Sequence, residues 1–481
     1  MFFRPQDALP LTVLAASLLA SSVTAGCAGA PRKPPLSTVT LPPGLSDTDA
    51  VSTAAPPPQL WWHLYHEPAL DEWVEEALAN NRDLRVAASH LLVAHALLSE
   101  AQGQRLPQTN IPAGVGIGST LQDQIEAAYE HSDHIRTGPR FGSGADVVWE
   151  VDLFGRLRSS IKAARADAEA TAAMEDGVRV TVAAEVTRAW LEACSYSHRL
   201  TVARHSLDLA EKSRDLTERL RVAGAGLPVD LIRQQALAAQ INAAIAPLES
   251  GRHNALVELA VLAGHAPEEL PAAAAACARI PEINTLLPIG DALTLLRRRP
   301  DVRAAERHLE SSTARIGIAT ADFYPHISLG ADFADSSHTL DDLGERNNIV
   351  WQVGPMLSWS FPNISAARAR LAQAHANESA ALATFDATVL IALKEVNQSA
   401  ENYSAMLHRR EALSVAAGRS GQADQILRRM RTAGAATALE ALDAERGDVE
   451  AQSALAAADA DVATAQVVLF KALGGGWENA T

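Results

Sequence analysis

Cysteine is scarce: the 481 residues hold three, Cys27, Cys194 and Cys277. Cys194 lies deep in a helical pattern and Cys277 in an alanine run. Both are read as small apolar residues, not as a disulfide or a metal pair. Aromatic residues amount to only 5%; with so much alanine around them, this is the habit of extended helical proteins rather than compact enzymes. Positive charge is in deficit too. A formal net charge of −16 with a pI near 5.4 disfavours nucleic acid and anionic lipid headgroups as main partners. No internal run of about eighteen apolar residues occurs, so no helix is expected to span a membrane. Phosphate-binding loop, HExxH, nucleophile elbow and dinucleotide fingerprint are all missing, which leaves an enzyme reading unsupported and no cofactor expected. His131 and His134, in "EHSDH", have a possible metal spacing, but a solvated loop is the expectation and no metal site is predicted.

The chain start is more informative. Residues 1–26 read as an export signal, with Arg4 ahead of the short apolar run "LPLTVLAASLLA" and then "TAGC". That ending is similar to a bacterial lipobox, with Thr24 where leucine is usual. Cys27 is therefore the expected lipid-bearing first residue of the mature chain, and a plain cleavage site is the alternative. Ala28, where aspartate is absent, is compatible with sorting to the outer membrane. Residues 27–59, rich in Pro, Ser and Thr, read as a tether.

Beyond residue 60 one unit is written twice. "NNRDLRVAASHLLVAHALLSEAQGQRLPQ" from Asn80 aligns without gaps to "RRPDVRAAERHLESSTARIGIATADFYPH" from Arg298, at an offset of 218. From the pair Trp149/Trp359 to the pair Gly264/Gly474 the offset is 210, so the first copy carries the longer loop. The copies span 60–264 and 291–474, with a linker at 265–290 and a tail at 475–481. Each contains two stretches of period-two alternation, at about 109–118 and 144–152 and at about 326–334 and 349–360. One apolar face per stretch marks half-buried or membrane-facing strands. Trp351 and Trp359 share that face, and Trp149 holds the matching position in the first copy. All three are candidates for membrane-interface aromatics.

Two very long helices follow, at 155–222 and 363–433. The first is free of proline and carries apolar residues at alternating four and three, the spacing of coiled-coil packing. Each ends in a near-identical tip, "RVAGAGLPVD" (221–230) and "RTAGAATALE" (431–440). Gly224 or Gly226 in one, and Gly434 in the other, suit a left-handed helix end. Pro228 suits the first turn of the descending helix, and Thr437 with Glu440 makes a capping box.

Four membrane strands cannot close a barrel within one chain, because an open edge in lipid leaves backbone groups unpaired. Two chains would give a barrel whose interior side chains nearly fill it; three leave room for a pore. At this point the residues resemble a known family, the TolC-like outer membrane efflux proteins, in the lipoprotein subgroup serving tripartite pumps. The resemblance rests on "WWHLYHEPALDEWVEEALANNRDLRVA" (61–87), "WEVDLFGRLRSSIKAA" (149–164), "LLRRRPDVRAAERHLESSTARIGIATADFYPHISL" (295–329) and both tips. "FPNISAARARL" (361–371) departs from the Gly-rich start usual for the second long helix.

The resemblance implies a mainly α fold with membrane β: a homotrimeric 12-stranded β-barrel continued by a 12-helix α-barrel, with four strands and two repeats per chain. An equatorial region would come from 265–290 and the chain ends. It implies a passive outer membrane exit channel for small molecules, with no catalysis. Its partners would be outer membrane lipid, a periplasmic adaptor and an inner-membrane transporter of the RND type. Glu440 and Asp443, with Asp230 on the other tip, would form the periplasmic gate. Arg221, Gly224, Ala225, Arg431, Gly434 and Ala435 would meet the adaptor. Ala436 stands where the family's best-known member has an arginine. A protein-secretion conduit and a non-transporting envelope coiled coil are the competing readings.

Overall fold

The computed structural model describes residues 32–40, 52–53, 58–283, 287–288, 292–359 and 364–476. Cys27 and the export signal lie outside them. In chain order the helices are α1 (Pro68–Asn80), α2 (Arg82–Gly103), α3 (Leu121–Tyr129), α4 (Arg156–Val222), α5 (Pro228–Ala243) and α6 (Ile245–Leu262). Then come α7 (Ala272–Ala276), α8 (Ala292–Arg298), α9 (Pro300–Ala321), α10 (Ile364–Thr432) and α11 (Ala438–Ala472). The strands of the larger sheet are β1 (Gln108–Asn110), β2 (Ala113–Gly118), β3 (Gly138–Glu150), β4 (His326–Ser337) and β5 (Ile349–Ser358). The chain divides into two compact units. One comprises residues 92–170 and 306–384 with the segment up to 37; the other comprises 38–91, 171–305 and 385–481.

The first unit holds the antiparallel sheet, ordered β1-β3-β4-β5, with β2 also on β3. β1 and β2 are one stave interrupted at Pro112, which has no N–H to donate and is tolerated only on an edge strand. The expected strand over 109–118 is broken there for that reason. The other strands differ from expectation at their ends: β3 starts at Gly138 instead of 144, β4 runs on to Ser337, and β5 stops at Ser358.

Antiparallel partners share a face, so the register sorts the side chains. Val115 pairs with Phe141, Phe141 with Ser337, Ala331 with Val353 and Phe333 with Trp351. This face is apolar and open, with Ile117 at 89%, Val353 at 72% and Trp351 at 70% exposure. The opposite face carries Gly114, Gly116 and Gly118, and a polar row crosses all four staves: Asn110, Asp146, Asp332 and Gln352. Asn110 donates to Asp146 at 3.0 Å within it.

The loop between β2 and β3, expected to be irregular, contains α3. Thr120 and Asp123 close a capping box at its start. Asp123 then takes His338 Nε2 at 2.7 Å, while His338 Nδ1 lies 2.6 Å from the Pro139 carbonyl oxygen. A contact between residues 215 apart ties the loops above the sheet. Below the sheet, Gly155 (φ +78°) turns the chain into α4, whose first amides, of Leu157 and Arg158, donate to the Asp152 carboxylate at 3.1 and 3.0 Å. Arg32, from the tether, pairs with Glu378 on α10 at 3.2 Å.

The second unit contains the main apolar core. Trp61, Trp62, Leu70, Val74, Trp190, Leu259, Phe470 and Leu473 are all buried in it, with Trp61 stacked on Phe470 at 4.7 Å. Alanines at 183, 189 and 193 let neighbouring helices approach closely. Pro247 separates α5 from α6, because its ring clashes with the carbonyl four residues back and offers no helical N–H.

Cys194 and Cys277 form a disulfide, with their Cα atoms 5.1 Å apart at a sequence separation of 83. The expectation of two unlinked apolar cysteines is thereby corrected. Cys194 is indeed fully buried, but the bond also fastens the 265–283 segment to α4. By composition, part of α11 is apolar enough to cross a membrane. Half of that window is buried, with Leu469, Phe470 and Leu473 in the core, the packing of a core helix.

Candidate functional site

Both tips lie in the second unit, and both close by the same hydrogen bonds. Gly224 (φ +74°) and Gly434 (φ +73°) take the left-handed conformation; Gly226 does not. The Ala225 amide donates to the Leu220 carbonyl at 2.9 Å and the Ala435 amide to the Met430 carbonyl at 2.8 Å. The following glycine-to-arginine bonds, Gly224 to Arg221 and Gly434 to Arg431, are both 3.0 Å. This is a Schellman closure, which satisfies carbonyls a helix end would otherwise leave free. On the far side Pro228 occupies the first turn of α5, and Thr437 caps α11.

The side chains of the two tips are wired differently. Arg221 folds back on its own helix, pairing with Glu218 at 2.7 and 2.9 Å, and stays exposed. Arg431 instead reaches from α10 to α4, donating to the buried Thr217 hydroxyl at 2.9 Å. Gly224, Ala225, Gly434 and Ala435 are exposed at the turns.

Of the acidic residues, Glu440 accepts from the Thr437 amide at 2.7 Å and from its hydroxyl at 2.8 Å, while its own amide donates to that hydroxyl at 3.2 Å. The two Thr437 donors hold the Glu440 carboxyl below its usual pKa. Asp443 is exposed, three residues further along α11. Asp230 is half-buried and faces Arg233 of its own helix at 3.8 Å. No hydrogen bond joins Asp230 to Glu440 or Asp443 among the described residues.

The membrane-interface candidates all lie in the first unit. Trp149 donates its indole N–H to the Arg105 carbonyl at 2.9 Å, and Trp351 and Trp359 are exposed at 70% and 52%. No group of three or more potential metal ligands occurs among the described residues.

A second acidic site near the tips was not anticipated. Glu445, on α11, is only 2% exposed, and Arg428 Nη2 of α10 lies 3.4 Å from it. Arg428 Nε also donates to Asp424 at 2.8 Å. Ser213 of α4 and Gln234 of α5 also lie beside the Glu445 carboxyl and favour its charged form, so all four tip helices meet there. The signal in the sequence was a lone carboxylate in an apolar stripe, four residues beyond Ala441 and four before Val449.

The sequence profile of the outer membrane efflux protein family matches residues 73–265 and 293–475. The pyoverdine export outer membrane protein OpmQ of Pseudomonas putida is 28% identical over 474 residues, covering 98% of this chain and 97% of that one. The outer membrane protein OprJ of Pseudomonas aeruginosa is 28% identical over 420 residues, 87% and 86% of the two chains. Among solved structures, the outer-membrane channel OprN superposes with a TM-score of 0.84 at 34% identity, over 93% of this chain and 99% of that one.

Proposed function

The chain belongs to the outer membrane efflux protein family, a family of bacterial outer membrane channels, and from that premise we propose that it is the passive exit duct of a tripartite efflux pump. One observation carries the reading: a sheet with one apolar, open face, one polar face and, among the described residues, two unpaired edges. Among those residues β1–β2 bond only to β3, and β5 bonds only to β4. In lipid those edges demand partners. Head-to-tail pairing of β5 with β1–β2 of the next copy closes a ring, and three copies give twelve staves, enough for an aqueous bore. Asn110, Asp146, Asp332 and Gln352 then line the bore. The helices α4 and α10, each about 100 Å long, each end at a tip.

The tips, with Gly224, Ala225, Gly434 and Ala435 at the turns, are the proposed seats for a periplasmic adaptor, which in turn meets an inner-membrane transporter. Asp443 is the stronger gate residue, because Glu440 is already engaged as a cap. A lipid on Cys27 belongs to the same proposal; Arg32, five positions further on, is bound to Glu378 of α10.

Pyoverdine export is named for OpmQ, and toluene efflux for the relative TtgF; small organic molecules are the proposed cargo here. Purified protein should run as a heat-resistant trimer in SDS and conduct in planar bilayers. A detergent-free, water-soluble monomer without conductance would refute the proposal.

A further inference from the structure

We propose that Glu445 is a positioning residue for the gate: paired with Arg428 it ties α11 to α10 from inside the tip bundle, and taking up or losing one proton there sets how tightly the four helices pack. This rests on the reading of Asp443 and Glu440 as the gate. Asp443 lies two residues before Glu445 on the same helix, so a displacement of α11 at Glu445 displaces the acidic pair.

The groups facing Glu445 come from every helix packed on it. α10 supplies Arg428, at 3.4 Å, and Asp424, which holds the same guanidinium at 2.8 Å. α4 supplies the Ser213 hydroxyl and α5 the Gln234 amide. Two carboxylates thus share one cation. With both ionised, the interior keeps one uncompensated negative charge, a costly state away from water. A proton on Glu445 removes the excess charge.

Burial, with Asp424 adding to it, lifts the Glu445 carboxyl above its usual pKa, against the pull of Arg428, Ser213 and Gln234. The sign follows from linkage. A carboxyl with a raised pKa in the packed state favours that state fully at low pH, and the advantage disappears as pH rises through the raised value. Lower pH therefore tightens the junction and higher pH loosens it.

The test uses the full chain in nanodiscs, with spin labels at Val229→Cys on α5 and Leu439→Cys on α11, both exposed at the tips. Cys194 and Cys277 are joined to each other, and Cys27 is replaced by serine in every variant, so only the new cysteines react. Trimers are diluted with unlabelled chains. As pH rises through the raised Glu445 value, the label separation should lengthen in the parent protein. Glu445→Gln should hold the short separation throughout, and Arg428→Met, which removes the cation, should move the midpoint to higher pH. A merely structural tie would alter stability without moving that midpoint. The proposal fails if the parent separation ignores pH, or if Glu445→Gln follows the parent curve. Conductance recorded alongside separates the two readings. A separation that responds while conductance does not would overturn the gate assignment and leave the tie intact.

Discussion

Two of the tip side chains explain how near-identical sequences come to do different jobs. Arg221 and Arg431 hold equivalent places in the repeat, and both could interact with a helix C-terminal dipole. Only Arg431 crosses to another helix, where it meets Thr217. Replacing Arg431 by Ala should cost about 1 kcal/mol and raise the resting conductance in bilayers. Arg221→Ala, which loses only an exposed pair, should change stability by less than about 1 kcal/mol. For the acidic pair, Glu440→Gln with Asp443→Asn should abolish block by divalent cations in single-channel recordings; unchanged block would remove both residues from the gate. The cap was legible in the sequence, because Thr437 and Glu440 are three apart and their chemistry is local. The reach of Arg431 to Thr217 and the burial of Glu445 were not legible, because both depend on which helices become neighbours. For Glu445 the sequence showed only a carboxylate at an apolar position, without saying what compensates it.

At the scale of elements, the disulfide between Cys194 and Cys277 is the largest local constraint. It closes a loop of 83 residues, for which removal costs about 2–5 kcal/mol. The double substitution to Ala should lower the melting temperature. Reductant should lower that of the parent protein similarly and leave the double variant unaffected. Periodicity revealed the strands and long helices to within a few residues, since alternation and heptad spacing are properties of the segment itself. It could not reveal partners far off in sequence: the cysteine pair, or the Asp123–His338 contact that makes α3 part of the fold. Pro112 was visible from the start, but its effect depended on β1–β2 being an edge stave, a fact of sheet order.

For the molecule as a whole, the division of the sheet into two faces would govern the proposed assembly. Val353→Arg on the apolar face should weaken the trimer by about 2–4 kcal/mol near mid-membrane, read as loss of the heat-resistant band in SDS. Gln352→Arg, one residue away on the polar face, should leave that band in place and shift ion selectivity toward anions. Comparable instability in both variants would contradict the assignment of faces. The repeat itself has a geometric consequence. Two hairpins per chain would give the proposed ring of three chains six tips of similar outline. They alternate between one whose arginine stays at home and one whose arginine is lashed to its neighbour. Such a ring has the silhouette of a hexagon but the symmetry of a triangle, so whatever docks on it must fit two unlike berths in turn.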